Sequence, residues 1–173
     1  MIKLSKRTGL LPALALALAV TGGAAAFAQR QLTGAAGAKP EVKVSLTGSV
    51  TRGGKALSLS EVEGVKPGEV LDWQIVSTNE GGAAARDYKA VGHIPRGTVF
   101  VAGSASAEGS TVTFSIDGGK TYSTLPVIEE RQPDGTVKQV PAPVSMYTEV
   151  RYEWSDALAA GGKLAASYKV RVR

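Results

Sequence analysis

The chain contains no cysteine and only one histidine, His93, in 173 residues. The absence of cysteine excludes a disulfide framework, a thiolate metal site, a cysteine nucleophile and a lipid-modified cysteine at a processed N-terminus. A lone imidazole with no histidine four residues away and no carboxylate next to it in sequence is a poor zinc ligand or triad base. His93 is therefore expected at a loop or strand end on the surface. No acidic residues show the Asp-x-Asp-x-Asp spacing of a calcium loop. Aromatics are also few, with two Trp, five Tyr and three Phe, so each contributes heavily to a thin core.

No long apolar run follows Ala28, so any membrane association is expected to be peripheral or through a partner. One such run does precede it. Lys3, Lys6 and Arg7 lead into the apolar stretch Leu10 to Val20, and Ala26-Phe27-Ala28 supplies the small residues of a signal-peptidase site. The stretch is shorter than the roughly 20 residues that span a bilayer. Residues 1–28 thus read as a signal peptide cleaved after Ala28, and Lys6-Arg7 is not a twin-arginine pair, so export in the unfolded state is expected. The protein is then periplasmic, on the cell surface or extracellular. Three of the 20 basic residues fall in this segment; the remaining 17 face 15 acidic ones, a balance of +2 that gives little reason for a nucleic-acid partner.

Residues 29–40 are Gly- and Ala-rich without apolar periodicity and read as a flexible leader. From residue 41 to residue 173 the dominant signal is alternation with period two, which places successive side chains on opposite faces of a strand. Val42, Val44 and Leu46 alternate with Lys43 and Ser45; Leu71, Trp73 and Ile75 with Asp72 and Gln74; Val112, Phe114 and Ile116 with Thr113 and Ser115. Val150, Tyr152 and Trp154 alternate with Glu149, Arg151 and Glu153, and Leu164 through Val172 with Lys163, Lys169 and Arg171. Each segment is expected to bury one face. Turn sequences separate them: Lys66-Pro67-Gly68, Glu80-Gly81-Gly82, Pro95-Arg96-Gly97, Asp117-Gly118-Gly119, Pro133-Asp134-Gly135 and Gly161-Gly162. The pattern predicts an all-β, Ig-like antiparallel β-sandwich of roughly seven to nine strands. A hairpin is expected to project near 125–144, with Asp134-Gly135 at its tip. Helix is expected only as a single turn over Ser155 to Ala160, capped by Ser155 or Asp156.

Several spaced elements from Glu41 to Arg173 resemble the family called "domain of unknown function eleven", an Ig-like repeat of exported bacterial and archaeal surface proteins. They are Val65-Lys66-Pro67-Gly68-Glu69 followed by Leu71-Asp72-Trp73, the Asn-x-Gly turn Asn79-Glu80-Gly81, Ile94-Pro95-Arg96-Gly97-Thr98 with Gly103-Ser104, and Tyr147 to Trp154. In this reading Pro67 presets a turn, Gly68 and Gly81 take positive φ, and Trp73 and Trp154 fill the core. The family shares no catalytic residues, so the resemblance implies a structural or adhesive role.

Ser115-Ile116-Asp117-Gly118-Gly119-Lys120-Thr121-Tyr122 resembles the Asp-box hairpin, in which the aspartate caps the turn and the closing aromatic packs beneath it. A structural role is expected for it. The remaining carboxylates, among them Asp72, Asp87, Glu108, Glu129, Glu130, Asp134, Glu149, Glu153 and Asp156, read as solvated sheet faces and turn caps. Tyr122 and Tyr147 are the tyrosines with most freedom to stack on a ligand. Lys163, Lys169, Arg171 and Arg173 share a face that is expected to pair with Glu149 and Glu153 on a neighbouring strand. No nucleophile has a base beside it, so no catalytic, cofactor-binding or metal residue is assigned, and no cofactor is expected. The functional expectation is a secreted, non-enzymatic structural or binding module of the cell envelope or surface, with protein partners. The alternative is an envelope polysaccharide- or cation-binding protein.

Overall fold

The computed structural model describes residues 37–173. The expected signal peptide and the leader up to residue 36 lie outside the described residues. The rest is all-β: β1 (Val42–Arg52), β2 (Lys55–Ser58), β3 (Val70–Asn79), β4 (Lys89–His93), β5 (Thr98–Phe100), β6 (Ser110–Ser115), β7 (Val127–Arg131), β8 (Val137–Pro141), β9 (Glu149–Trp154) and β10 (Lys163–Val172). Eight strands form two antiparallel sheets, ordered β2-β1-β3-β10-β5 and β4-β9-β6, and among the described residues β7 pairs only with β8. The expected sandwich and its separate hairpin are both present.

Period-two alternation becomes burial where the two sheets face each other. Leu71 and Ile75 of β3, Ala166, Tyr168 and Val170 of β10, and Val150, Tyr152 and Trp154 of β9 form the core with Val50, Ala90 and Phe100. Removing such a side chain from water contributes about 1.5–3 kcal/mol. The polar tips of the buried Tyr152, Tyr168 and Trp154 and of the half-buried Tyr88 find acceptors: Tyr152 donates to the Ser167 carbonyl at 2.6 Å, Tyr168 to the His93 carbonyl at 2.7 Å, Trp154 Nε1 to the Glu108 carbonyl at 2.9 Å, and Tyr88 to Ser77 Oγ at 2.8 Å. Several of these bonds tie one sheet to the other, adding direction to contacts that burial alone leaves non-directional.

Asn79, fully buried at the end of β3, knots the chain at that end of the sandwich. Its amide donates to the carbonyls of Ala83, Leu158 and Ala159, and its Oδ1 accepts the N–H groups of Glu41 and Gly81. That chemistry accounts for the Asn-x-Gly element. Gly81, however, is not at positive φ as expected; a Cβ there would strike the Lys39 carbonyl and the Glu41 nitrogen, so close backbone approach is what demands glycine. The turn before β3 behaves as expected, with Gly68 at φ 87° and Glu69 closing it. The Glu69 carboxylate accepts from Arg52 at 2.7 Å and from the Lys66 N–H, and these bonds, Arg52 first, hold its pKa down at about 2. In Ile94 to Thr98 the hydroxyl and the N–H of Thr98 both return to the Pro95 carbonyl, which turns the chain into β5.

Four further expectations fail. Ser155 to Ala160 is not helical; Leu158 instead bridges Ala85, and the described residues contain only a 3₁₀ turn at Val144–Met146. The extended pull of that bridge, with Leu158 buried, outweighs a weak local cap. β9 lies in the opposite sheet from β10, so Glu149 and Glu153 do not pair with the basic face of β10; Lys169 meets Asp72 of β3 at 2.7 Å. Tyr147 is not a free ring, since it packs against Phe100 and Phe114 with centroids 5.8 and 4.9 Å apart. Val44 and Leu46 share the inward face with Val50, yet they are 59% and 54% exposed. The three-stranded sheet is narrower than its partner and leaves the first half of β1 uncovered.

Candidate functional site

The outer face of the three-stranded sheet carries the main cluster of interacting polar side chains. Register places Glu149 beside His93 and Ser115, Arg151 beside Val91 and Thr113, and Glu153 beside Lys89 and Thr111. Period two therefore turns a stretch of β9 with one polar residue in two into a continuous charged row. Lys89 Nζ is 2.9 Å and Arg151 2.5 Å from the Glu153 carboxylate, which together with burial determine its pKa; the Lys89 contact is foremost in lowering it. His93 Nδ1 lies 3.0 Å from Glu149 Oε1, so the imidazole does have a carboxylate partner, one that is distant in sequence. The ring is otherwise at the surface, 77% exposed, as its strand-end position predicts.

The turn from Ser115 to Tyr122 folds over this row. Ser115 Oγ donates to Asp117 Oδ1 at 2.7 Å and accepts the Gly119 N–H; the N–H groups of Lys120 and Thr121 also reach Oδ1 at 3.0 Å, and the Thr121 hydroxyl reaches Oδ2 at 2.6 Å. These donors, the Thr121 hydroxyl foremost, hold the Asp117 carboxyl well below the usual carboxylate range. Tyr122, closing the turn, lies with its ring 3.8 Å beneath the Arg151 guanidinium and donates its hydroxyl to Glu149 Oε2. Burial and the Glu149 carboxylate push the phenol up to about 12. Asp117 thus caps the turn as the Asp-box resemblance implies, and Tyr122, engaged by Arg151 and Glu149, is not free to stack on a ligand.

Glu149, the one buried carboxylate among the described residues, is committed to Tyr122 and His93, and Ser115 is committed to Asp117 and Gly119. This arrangement can lock a turn onto a sheet and present an exposed imidazole at the rim. Among the described residues no three His, Asp or Glu side chains gather as a metal-holding group. Asp87, Asp156, Glu108, Glu129 and Glu130 stay apart from the cluster. Trp154 is buried, and Trp73 is half-buried with its Nε1 lacking a hydrogen-bond partner among the described residues.

The second feature is the β7–β8 ribbon. It is fastened at its base by the Ala142 N–H to the Pro126 carbonyl and closed at its tip by Asp134, whose Oδ1 accepts the N–H and hydroxyl of Thr136 at 2.9 and 2.6 Å. Leu125, Val127 and Val137 on and beside it are 57%, 44% and 58% exposed. The sequence placed this hairpin, but alternation did not show that its apolar side chains stay in solvent. No protein-family model, no curated protein and no solved structure matches the chain.

Proposed function

We propose that the chain is an exported, non-enzymatic module of the cell envelope or surface, which uses the β7–β8 ribbon for protein–protein contacts within an assembly. The observation that carries this reading is the ribbon itself: a two-stranded element outside both sheets, with Leu125, Val127 and Val137 exposed. An isolated two-stranded ribbon gains little stability of its own, and apolar side chains held away from the core favour a partner that takes them out of water. Loops and hairpins carried by a rigid sandwich are the usual place for such contacts. Export is supported by the basic residues Lys3, Lys6 and Arg7 before Leu10 to Val20 and by the Ala26-Phe27-Ala28 site. The resemblance to exported Ig-like surface repeats supports the same compartment and role.

Site-specific photo-cross-linking in the cells that make the protein tests this. A cross-linker at Val137 is expected to give a discrete protein adduct in the envelope fraction, and one at Thr51, on the sandwich wall, is not. Recovery of the protein in the cytosol, or adducts that form equally from both positions, would overturn the reading.

A further inference from the structure

We infer that the first half of β1 is a self-association edge, along which a second copy of this chain adds its own β1 antiparallel and about a two-fold axis. This goes beyond the role assigned to the ribbon and uses a different part of the molecule.

On one side β1 pairs with β3 from Val42 to Val50, and on the other with β2 only from Ser49 to Arg52. The Glu41 carbonyl accepts from Glu80 at the β3 side, and the Gly48 carbonyl accepts the Leu59 N–H on the opposite side. Because backbone groups alternate sides along a strand, the N–H and C=O of Val42, Val44 and Leu46 point away from β3. Among the described residues no strand pairs with them.

Of the other edges of the two sheets, β2 has four residues and carries Lys55, β5 has three, β4 has five and carries Lys89 and His93, and β6 has six and is partly covered where Phe114 pairs with Ser123. These are the usual means of discouraging a further strand. Val44-Ser45-Leu46-Thr47 has neither proline nor charge, and Lys43 is turned to the outer face and paired with Glu80 of the neighbouring turn.

The edge is also complementary to itself. With Gly48 already bonded to Leu59, the free length is centred on Val44. A two-fold axis there sets Val44 against Val44 of the second copy and Val42 against Leu46, each facing pair exchanging both N–H···O bonds. Side chains directly opposite lie on the same face, so Val42, Val44 and Leu46 of both copies meet on the inward face that the three-stranded sheet leaves bare. On the other face Lys43 meets Ser45, and no like charges oppose. A second copy therefore satisfies the backbone, the exposed apolar pair and the charges together.

The test exploits the chain's lack of cysteine. Facing Cα atoms about 5.5 Å apart suit a disulfide, so Val44→Cys in the full chain is expected to form a covalent dimer rapidly on mild oxidation, and Ser45→Cys, whose mate is offset and on the other face, only slowly. In the absence of oxidant, sedimentation equilibrium is expected to show a dimer. Val44→Pro removes an N–H from the free edge and none from the β3 ladder, so it is expected to raise the dissociation constant about tenfold or more with the far-ultraviolet spectrum unchanged. A chain that stays monomeric at about 100 µM would overturn the inference. So would equal cross-linking from positions 44 and 45, or a monomer whose Val42, Val44 and Leu46 amides resist hydrogen exchange, the sign that residues 29–36 of the same chain cover the edge.

Discussion

Two turns in this protein share the same local chemistry and differ in almost everything beyond it. Asp117 and Asp134 each precede a glycine at positive φ and each accept an N–H and a hydroxyl from a threonine. Gly119 and Gly135 even share φ 86°. The first turn is nevertheless bound to the sheet by Tyr122, Thr148 and Ser115, while the second stands at the end of a ribbon that pairs only with itself. Local hydrogen bonding determines that a turn forms. What the turn contributes to global stability depends on whether its residues also bond to the rest of the fold.

The largest expected difference comes from the matched glycines. A Cβ at Gly119 would lie 2.7 Å from Glu149 Oε2, a carboxylate held in place by two partners, whereas a Cβ at Gly135 meets nothing. Both alanine variants incur about 1–2 kcal/mol of left-handed backbone strain. Gly119→Ala is expected to destabilise the sandwich by about 2–3 kcal/mol in urea unfolding, with Gly135→Ala leaving the main transition within about 0.5 kcal/mol of wild type. Equal effects would mean that the ribbon unfolds together with the sheets.

Next comes Tyr122→Phe, which removes the hydroxyl donor to Glu149 and is expected to cost about 1 kcal/mol by the same measurement. In the unaltered protein the Tyr122 phenol is expected to ionise near pH 12, measured as the change in its ultraviolet absorbance upon titration.

A smaller and pH-dependent contrast is expected between Asp117→Asn and Asp134→Asn. The Asp117 carboxyl titrates below its unfolded value, so its contribution is complete above that value and disappears as pH falls through the folded one. The difference in melting temperature between wild type and Asp117→Asn is therefore expected to be constant above about pH 5 and to shrink below about pH 4. Asp134 is lowered in the same sense, chiefly by Thr136 and with no partner outside the ribbon, and Asp134→Asn is expected to leave the main melting transition unmoved at either pH. The smallest effect is expected from proteolysis: cleavage within Gln132 to Thr136 should leave the sandwich transition in place, and its loss would show that the ribbon supports the core.

Five strands, β1, β3, β6, β9 and β10, were legible because each is one-half apolar at period two, and Leu71, Val150, Tyr152, Tyr168 and Val170 all point inward as that pattern requires; β2, β4 and β5 are too short to show it. The Asp117 turn was legible for a related reason, since all its capping groups lie within a few residues of one another. The His93–Glu149 pair was not, because it forms between two strands that only the sheet register brings together. The available signal was an acidic residue on the polar face of β9 immediately before an inward-facing valine. Val44 and Leu46 were misread because alternation identifies a face and says nothing of what lies above it.

By itself the sequence determined the alternation, the turns and their capping aspartates, since these depend on side chains within a few residues and on the two-residue repeat of an extended backbone. Only the tertiary structure decided which strands share a sheet, which apolar faces are covered and which carboxylate meets His93. Those outcomes depend on register and on the unequal widths of two packed sheets, which join residues far apart along the chain.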